Sequence, residues 1–434
     1  RIGNTPEYGF LDGNLFRPEE ELRRAISVFL SRIYPSIPVI KLYSTAIRDI
    51  KARGEDLFHT VNPLRYLNLR NGVLDLENLD FVDPRAMREE DLITHLPLPK
   101  PPIFTYVLPS IPGVFLEMLR NGQINDECFK DKAFYIVLRK HYDEEEWEKL
   151  KDALGSILAP FSMRLWTIIV GEKKTRKTFL IELIKKHLKG LVGILNLHEL
   201  QRDTFALENV LGIRVIVGSE EKETIITRID MIKKLVGGDP LSINRKYKPR
   251  VEIEENPIKL LTATNGLPVF KRYDDALFDR IQIIYTKDPK DWDEEERKLM
   301  EEARRDPESF IEFLLYCYSE LKKRGFMIRG KGDEEVERTI LEGSSNAFRF
   351  FSYMEGKGEL RVEKGTKVEG TRLYGEYLSW CKEMKESPVG RNTFYENVVT
   401  YFGDKGVEKR YDSTTRAVAF RNLFLKDSKT SPGL

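Results

Sequence analysis

The residues best equipped for chemistry stand where an apolar run gives way to a basic loop. Gly171-Glu-Lys-Lys-Thr-Arg-Lys177-Thr178 follows Trp166-Thr-Ile-Ile-Val170. A loop that cradles phosphates needs a buried strand, a tight turn with inward-facing backbone N–H groups, a lysine, and a serine or threonine opening a helix. Gly171 supplies the turn, Lys177 reaches the β- and γ-phosphates of a nucleoside triphosphate, and Thr178 offers its hydroxyl to Mg2+. Lys174, Thr175 and Arg176 complete the candidate phosphate-binding set. Arg176 occupies the position of the usual second glycine, so its side chain either points away from the phosphates or joins them. The plainer alternative is a solvated basic turn made of Lys173, Lys174, Arg176 and Lys177.

A second apolar run, Ile213-Arg-Val-Ile-Val-Gly-Ser-Glu220-Glu221, ends in paired carboxylates. That arrangement puts one carboxylate at the Mg2+ and its neighbour beside an attacking water. Glu220 is assigned to the metal and Glu221 to the water, with the two roles exchangeable. The alternative is a charged strand end prolonged by Lys222 and Glu223. Asn265 closes a third run, Leu260-Leu-Thr-Ala-Thr-Asn265, and is placed to hydrogen-bond the γ-phosphate or the water, although Asn-Gly-Leu-Pro is equally an ordinary turn. Arg280, just ahead of Ile281-Gln-Ile-Ile-Tyr285, either lends its charge to the γ-phosphate of a neighbouring subunit or pairs with Asp279. Between these segments Arg245, Lys246, Lys248 and Arg250 surround Tyr247. Cations around an aromatic suit single-stranded backbone contact with base stacking; an exposed hairpin without a ligand has the same pattern.

Several elements must hold these residues. Buried-strand runs at 166–170, 214–217, 258–262 and 280–285 alternate with helical stretches such as Thr178–Leu188, which argues for a parallel α/β sheet. Upstream, Pro18–Tyr34 and Val39–Arg53 have amphipathic spacing, and Tyr66–Leu76 reads as a hairpin turning at Asn71-Gly72. Pro97–Pro102 is a stiff connector, and Asp143–Leu158 starts acidic as a helix should. After a charged helical stretch, Asp291–Arg324, the chain reads as helices Leu373–Lys385 and Gly390–Phe402 followed by strands at 407–410 and 417–421. That order suggests a winged helix, with Arg391, Asn392, Thr393 and Tyr395 opening its recognition helix and Lys409, Arg410 and Arg416 on its wing. From Ser345 onward there are 16 Lys and Arg against 12 Asp and Glu, net +4, a bias toward DNA. An interaction module without DNA contact is the alternative.

Composition narrows the class. The 434 residues carry 71 Lys and Arg against 70 Asp and Glu, so any nucleic-acid contact comes from local patches rather than a global field. No apolar run approaches a membrane span of about 18 residues, and Cys128, Cys317 and Cys381 fit no zinc spacing. A cytoplasmic protein is expected. Position 1 is Arg, which suggests a fragment.

The ordered set resembles the superfamily III helicases, in particular the poxvirus-type primase–helicase family of phages, plasmids and large DNA viruses. The matching stretches are Leu211–Glu220, Lys233–Pro240, Asn244–Pro249, Leu261–Pro268 and Leu277–Ile281, with Tyr66–Leu76 similar to the region ahead of the motor. The resemblance implies an AAA+-type P-loop ATPase core with a helical N-terminal domain and a C-terminal winged helix. The expected divisions are 1–102 for helices and a small hairpin, 103–160 for a helical collar, 161–290 for the core, 291–344 for a helical extension and 345–434 for the winged helix. It further implies ATP and Mg2+ as cofactors, a homo-hexameric ring on single-stranded and possibly double-stranded DNA, Arg280 acting in trans, and a pore hairpin bearing Lys246, Tyr247 and Lys248. A primase–polymerase module upstream of residue 1 follows from the same family architecture. Arg176 departs from the pattern and raises a second reading, an initiator or loader with weakened ATPase. An RNA-directed motor is a third.

Overall fold

The computed structural model describes residues 9–12, 15–18, 64–82, 106–194, 213–220, 225–226, 228–245, 248–253, 256–270, 274–287, 293–403, 405–412 and 416–426. The stretches expected to be helical at 18–34 and 39–53 therefore fall almost wholly outside the described residues, as does the Pro97–Pro102 connector. The chain divides into two compact units. The first comprises Arg1–Lys222, Asp230–Gly266 and Arg280–Lys331; the second comprises Glu223–Ile229, Leu267–Asp279 and Gly332–Leu434.

The first unit is built on a five-stranded sheet of β1 (Trp166–Val170), β2 (Val192–Ile194), β3 (Val215–Glu220), β4 (Lys259–Thr264) and β5 (Ile281–Tyr285), in the order β5-β1-β4-β3-β2. Every pairing is parallel, as strands alternating with helices led one to expect. β1 and β4 are buried along their whole length, which is why they read as continuous apolar runs without alternation. The chain leaves β1 for the far edge, returns strand by strand to β4, then crosses β1 to form β5. Such a reversal opens a crevice beyond the carboxyl ends of the central strands.

The principal helices of this unit are α1 (Ala133–Arg139), α2 (Glu144–Ser156), α3 (Lys177–His187), α4 (Ile229–Gly237), α5 (Glu294–Ala303) and α6 (Pro307–Lys323); α2 and α3 pack on the sheet, α5 packs on α1, and α6 on α2 and α3. α2 starts where Asp143 accepts from the Glu146 amide at 3.0 Å, and α5 starts in the same way at Asp293. α2 and α6 approach so closely that a Cβ on Gly155 would lie 2.6 Å from the Cys317 carbonyl oxygen. Trp147, Phe313, Phe310 and Phe134 fill the space around this contact.

Two buried cations fasten the end of α2 to the amino edge of the sheet. Arg214 donates to the carbonyls of Leu158 (2.9 Å) and Tyr66 (2.8 Å), and Lys259 donates to Ala159 O (2.6 Å). Cations at a helix C-terminus complement its dipole and its unpaired carbonyls. Burial, together with the nearby Arg214 charge, pushes the Lys259 ammonium well below its ordinary pKa. The small upstream sheet contains the expected hairpin, but Leu69 pairs with Gly72, so the tip is Arg70-Asn71, one residue earlier than read. The shift has a cause in Asn71, whose side chain exchanges hydrogen bonds with the Ile111 backbone and fixes it in the loop.

In the second unit, α7 (Glu334–Ser344) and α8 (Asn346–Gly356) lead into β6 (Leu360–Glu369), α9 (Gly370–Met384), α10 (Arg391–Phe402), β7 (Glu408–Asp412) and β8 (Ala417–Leu425). The three strands form an antiparallel sheet with β8 in the middle. β6 was not expected from the sequence. Only Leu360 and Val368 are buried along it, and its register slips around Gly365, so it carries too little apolar signal. Phe350, Phe351, Phe394, Tyr377 and Phe402 make the unit's aromatic core. Among the described residues of the chain no helix is long and apolar enough to cross a membrane.

Candidate active site

Parallel register brings four segment ends into one row. Val170 of β1 lies opposite Thr264 of β4 and Tyr285 of β5, and Thr264 lies opposite Glu220 of β3. The residues that follow are Gly171, Asn265 and Thr286, with Glu220 as the last strand residue of β3. All stand at the carboxyl edge. Two steps of about 4.8 Å between strands put the Glu220 backbone roughly 10 Å from the start of the loop. Glu221 lies outside the described residues.

Gly171 is bound on both sides: its amide donates to Thr264 O at 3.2 Å, and a Cβ on it would lie 1.7 Å from Thr286 Oγ1. Beyond it the loop curls through two left-handed residues, Lys174 (φ 69°) and Arg176 (φ 60°), before α3 begins at Lys177. Left-handed backbone turns of this kind fold successive amides into anion-binding concavities. For non-glycine residues they cost about 1–2 kcal/mol each.

Lys177 is buried. Its ammonium donates to the carbonyls of Gly171 and Glu172 (2.6 Å to the latter) and to Thr175 Oγ1 (3.0 Å), while Thr175 in turn donates to Glu172 O at 2.9 Å. Burial pushes its pKa down to about 8, against the smaller opposing pull of the Glu172 carboxylate. A buried ammonium whose hydrogen bonds go to carbonyls and a hydroxyl, at the N-terminus of an eleven-residue helix, fits a phosphate. Thr178 is exposed at the head of α3, with its hydroxyl accessible to a ligand or its metal.

Arg176 is tied to two partners other than Lys177. Its guanidinium is buried, donates through Nε to the Glu296 carboxylate and through NH1 to Lys174 O at 2.6 Å. Glu296, the third residue of α5, also meets His141 Nε2 at 3.5 Å. Burial alone would raise the Glu296 pKa, but the Arg176 hydrogen bond and charge outweigh it and hold the carboxyl below its usual range. The sequence left the course of this side chain open; here it is seated on the Glu296 carboxylate and the Lys174 carbonyl. Glu296 and His141 were not anticipated. Asp293-Glu-Glu-Glu296 signals a helix start, but nothing in it points to residue 176.

Arg280 lies at the other edge of the sheet. Its carbonyl accepts from the Trp166 amide at 2.7 Å, so it is level with the amino end of β1. A strand of five residues at about 3.3 Å each separates it from Gly171, roughly 16 Å. Its guanidinium donates to Lys233 O at 3.3 Å rather than pairing with Asp279, and lies 3.7 Å from the position of a Cβ on Gly237. The end of α4 is held by Asn256, which donates to Leu235 O at 2.9 Å and also contacts Lys234 O and Asp239 O. From there the chain enters the antiparallel strands Leu241–Arg245 and Lys248–Ile253, with Arg245 opposite Lys248. Lys246 and Tyr247 lie outside the described residues.

In the second unit Arg391, Lys409 and Arg410 are exposed. Arg391 lies over the Tyr374 ring at 5.5 Å, Lys409 over Tyr395 at 5.8 Å, and Arg410 pairs with Glu408 at 2.8 Å. Asn392, Thr393 and Arg416 are exposed as well. Tyr395 is not. It belongs to the buried stripe Phe394, Tyr395, Val398 and Phe402, and its ring fills the space beside Gly370, so at the start of this helix it packs the unit's core.

Residues 169–280, from the middle of β1 to Arg280, match a family described as of unknown function, DUF5906. No curated protein matches. Among solved structures, the chain is similar to the A-form apo structure of the NrS-1 C-terminal region, at 11% identity and a TM-score of 0.48, over 97% of this chain and 95% of that one. A second apo structure of the NrS-1 C-terminal region gives 12% identity and 0.47, over the same shares.

Proposed function

We propose that this chain is the motor region of an ATP-dependent replicative DNA helicase of the superfamily III type, an AAA+ core with a C-terminal winged helix, working as a hexameric ring on single-stranded DNA. The observation that supports this reading best is the division of charge between the two sheet edges. Lys177, Thr178, Glu220 and Asn265 come from segments that end at the carboxyl edge, whereas Arg280 stands roughly 16 Å away at the amino edge. That distance from the loop supports a role for Arg280 at a phosphate bound by a neighbouring subunit.

In this reading Lys177 and the loop amides grip the β- and γ-phosphates. Thr178 and Glu220 would hold Mg2+, which would supply Lewis-acid neutralisation of the phosphate charge when bound. Among the described residues no three acidic, histidine or cysteine side chains cluster to hold a metal. Glu221 orients the attacking water, Asn265 hydrogen-bonds it or the γ-phosphate, and Arg280 stabilises the charge developing in the next subunit's site.

The hairpin carrying Arg245 and Lys248 joins directly to α4, whose Lys233 carbonyl seats Arg280. Hydrolysis at one seam thus has a short path to the residues that would hold a strand. From α8 onward the second unit runs helix, strand, helix, helix, strand, strand, and with Arg391, Lys409 and Arg410 exposed this order supports a DNA-binding role there. The reading of a loader with weakened ATPase arose from Arg176, and the seat of that guanidinium on Glu296 favours the motor.

Two measurements test the proposal together: ATP turnover with and without single-stranded DNA, and electron microscopy with a nonhydrolysable ATP analogue. DNA-stimulated turnover and six-membered rings are expected. A protein that neither binds nor hydrolyses ATP and remains a single subunit would end the reading. DNA binding with negligible turnover would leave the loader.

A further inference from the structure

Arg176 stands where a phosphate loop of this spacing needs a left-handed residue, and glycine is the residue that adopts that conformation without strain. Here φ is 60° and ψ 15° on a residue with a long side chain. Three features around it address that strain. The guanidinium is buried against Glu296. A second donor of the same group returns to Lys174 O, the carbonyl of the loop's other left-handed residue. Glu296 is itself fixed at the head of α5, where its amide donates to Asp293 at 2.6 Å and the helix dipole favours its charge. The chain of contacts runs from a rigid helix start, through one carboxylate, into the two backbone positions that set the loop's curvature.

We propose that Arg176 and Glu296 are the positioning pair of the phosphate loop, a tether that holds the left-handed turn before Lys177 and so does by side-chain contact what glycine does by lacking a Cβ. The inference rests on the nucleotide reading of the site. It assigns Arg176 no contact with nucleotide. The guanidinium is occupied by Glu296 and the Lys174 carbonyl, and its contribution to affinity passes through the backbone.

The contrast between glycine and alanine at position 176 tests this, because both substitutions remove the tether and only alanine resists the left-handed conformation. Binding of a fluorescent ATP analogue with Mg2+ would be measured on the full chain, with thermal melting of each variant alongside. Arg176→Gly should bind within about threefold of the parent. Arg176→Ala should bind about 5- to 30-fold more weakly than Arg176→Gly, the equivalent of a 1–2 kcal/mol left-handed penalty at 1.4 kcal/mol per tenfold. Glu296→Gln should weaken binding, and adding Arg176→Gly to it should restore binding.

Equal losses in Arg176→Gly and Arg176→Ala would overturn the proposal, since a guanidinium that touches phosphate predicts that result. A difference confined to melting temperature, with equal affinities, would overturn it too, by making the pair merely structural. Lys177→Ala separates the two layers. If the parent binds and Lys177→Ala does not, a failed glycine–alanine contrast removes the tether alone. If the parent and Lys177→Ala bind alike, or neither binds, the nucleotide site itself is lost and the tether's role with it.

Discussion

Lys177 gives the site a pH dependence whose size follows from its surroundings. With its pKa pushed down to about 8 by burial, the lysine is about nine-tenths protonated at pH 7 and about one-tenth at pH 9. Only the ammonium attracts a phosphate, so apparent affinity scales with the protonated fraction and should fall about tenfold between those two values. The nucleotide contributes little to the change, since its terminal phosphate ionises near pH 6. Stability runs the other way. Because the folded pKa lies below the unfolded value near 10.5, the folded chain binds fewer protons through the window from about 8 to 10.5, and this group's contribution to stability rises with pH there. Weakened binding at high pH is therefore not incipient unfolding. Equilibrium titration of a fluorescent ATP analogue with Mg2+, from about pH 6.5 to 9.5, reads the effect, with Lys177→Arg as control because an arginine stays charged throughout. A flat profile, or the same fall in Lys177→Arg, would refute the assignment of Lys177 as the phosphate-gripping cation.

Other consequences are equally direct. Arg280→Ala should lower ATP turnover by about 10³-fold or more while nucleotide binding and assembly persist, because among the described residues its guanidinium is held by a hydrogen bond of 3.3 Å to the Lys233 carbonyl; unchanged turnover would remove Arg280 from the mechanism. Reversing charge at Lys246 and Lys248 should abolish stimulation of turnover by single-stranded DNA and leave basal turnover intact, and normal stimulation would take the hairpin out of the DNA path. Gly155→Ala should destabilise the first unit by about 1–3 kcal/mol, because its Cβ would meet the Cys317 backbone at 2.6 Å with no flexible atom to yield; an unchanged urea midpoint would show that the two helices can part.

What could be read from residues alone follows from how each element is buried. Strands covered on both faces, such as Trp166–Val170 and Lys259–Thr264, announce themselves as unbroken apolar runs, and their parallel arrangement follows from the helices between them. β6 shows the opposite case. It has charges at Arg361, Glu363, Lys364, Lys367 and Glu369 and only two buried side chains, so pairing with β8 holds it rather than any pattern of its own. The cations Arg214 and Lys259 were legible only as strand-end charges. Their partners include the carbonyls of Leu158 and Ala159, just past the end of α2 and 56 and 100 residues away in the chain, and no side-chain type advertises a carbonyl.

The same limit explains the loop. A motif written in residue types treats an arginine at the second glycine position as a fault, since the motif encodes glycine's conformation as if it were glycine's identity. The backbone needs only a left-handed turn there, and that turn is stabilised either by removing the Cβ or by tying down whatever side chain is attached to it. Glu296 lies 120 positions along the chain from Arg176, on a helix whose own start is explained by Asp293, so local reading has no reason to connect the two. Once they are connected, the departure from the pattern stops counting against nucleotide binding. The proposed tether predicts a covarying pair instead: a chain with glycine at the first position has no buried guanidinium to balance, and a carboxylate at the second would be buried without its arginine partner, at a cost of about 3–5 kcal/mol. Arginine and glutamate should therefore appear together or not at all in chains of this kind, and an arginine retained where the carboxylate is replaced by an apolar residue would break the argument.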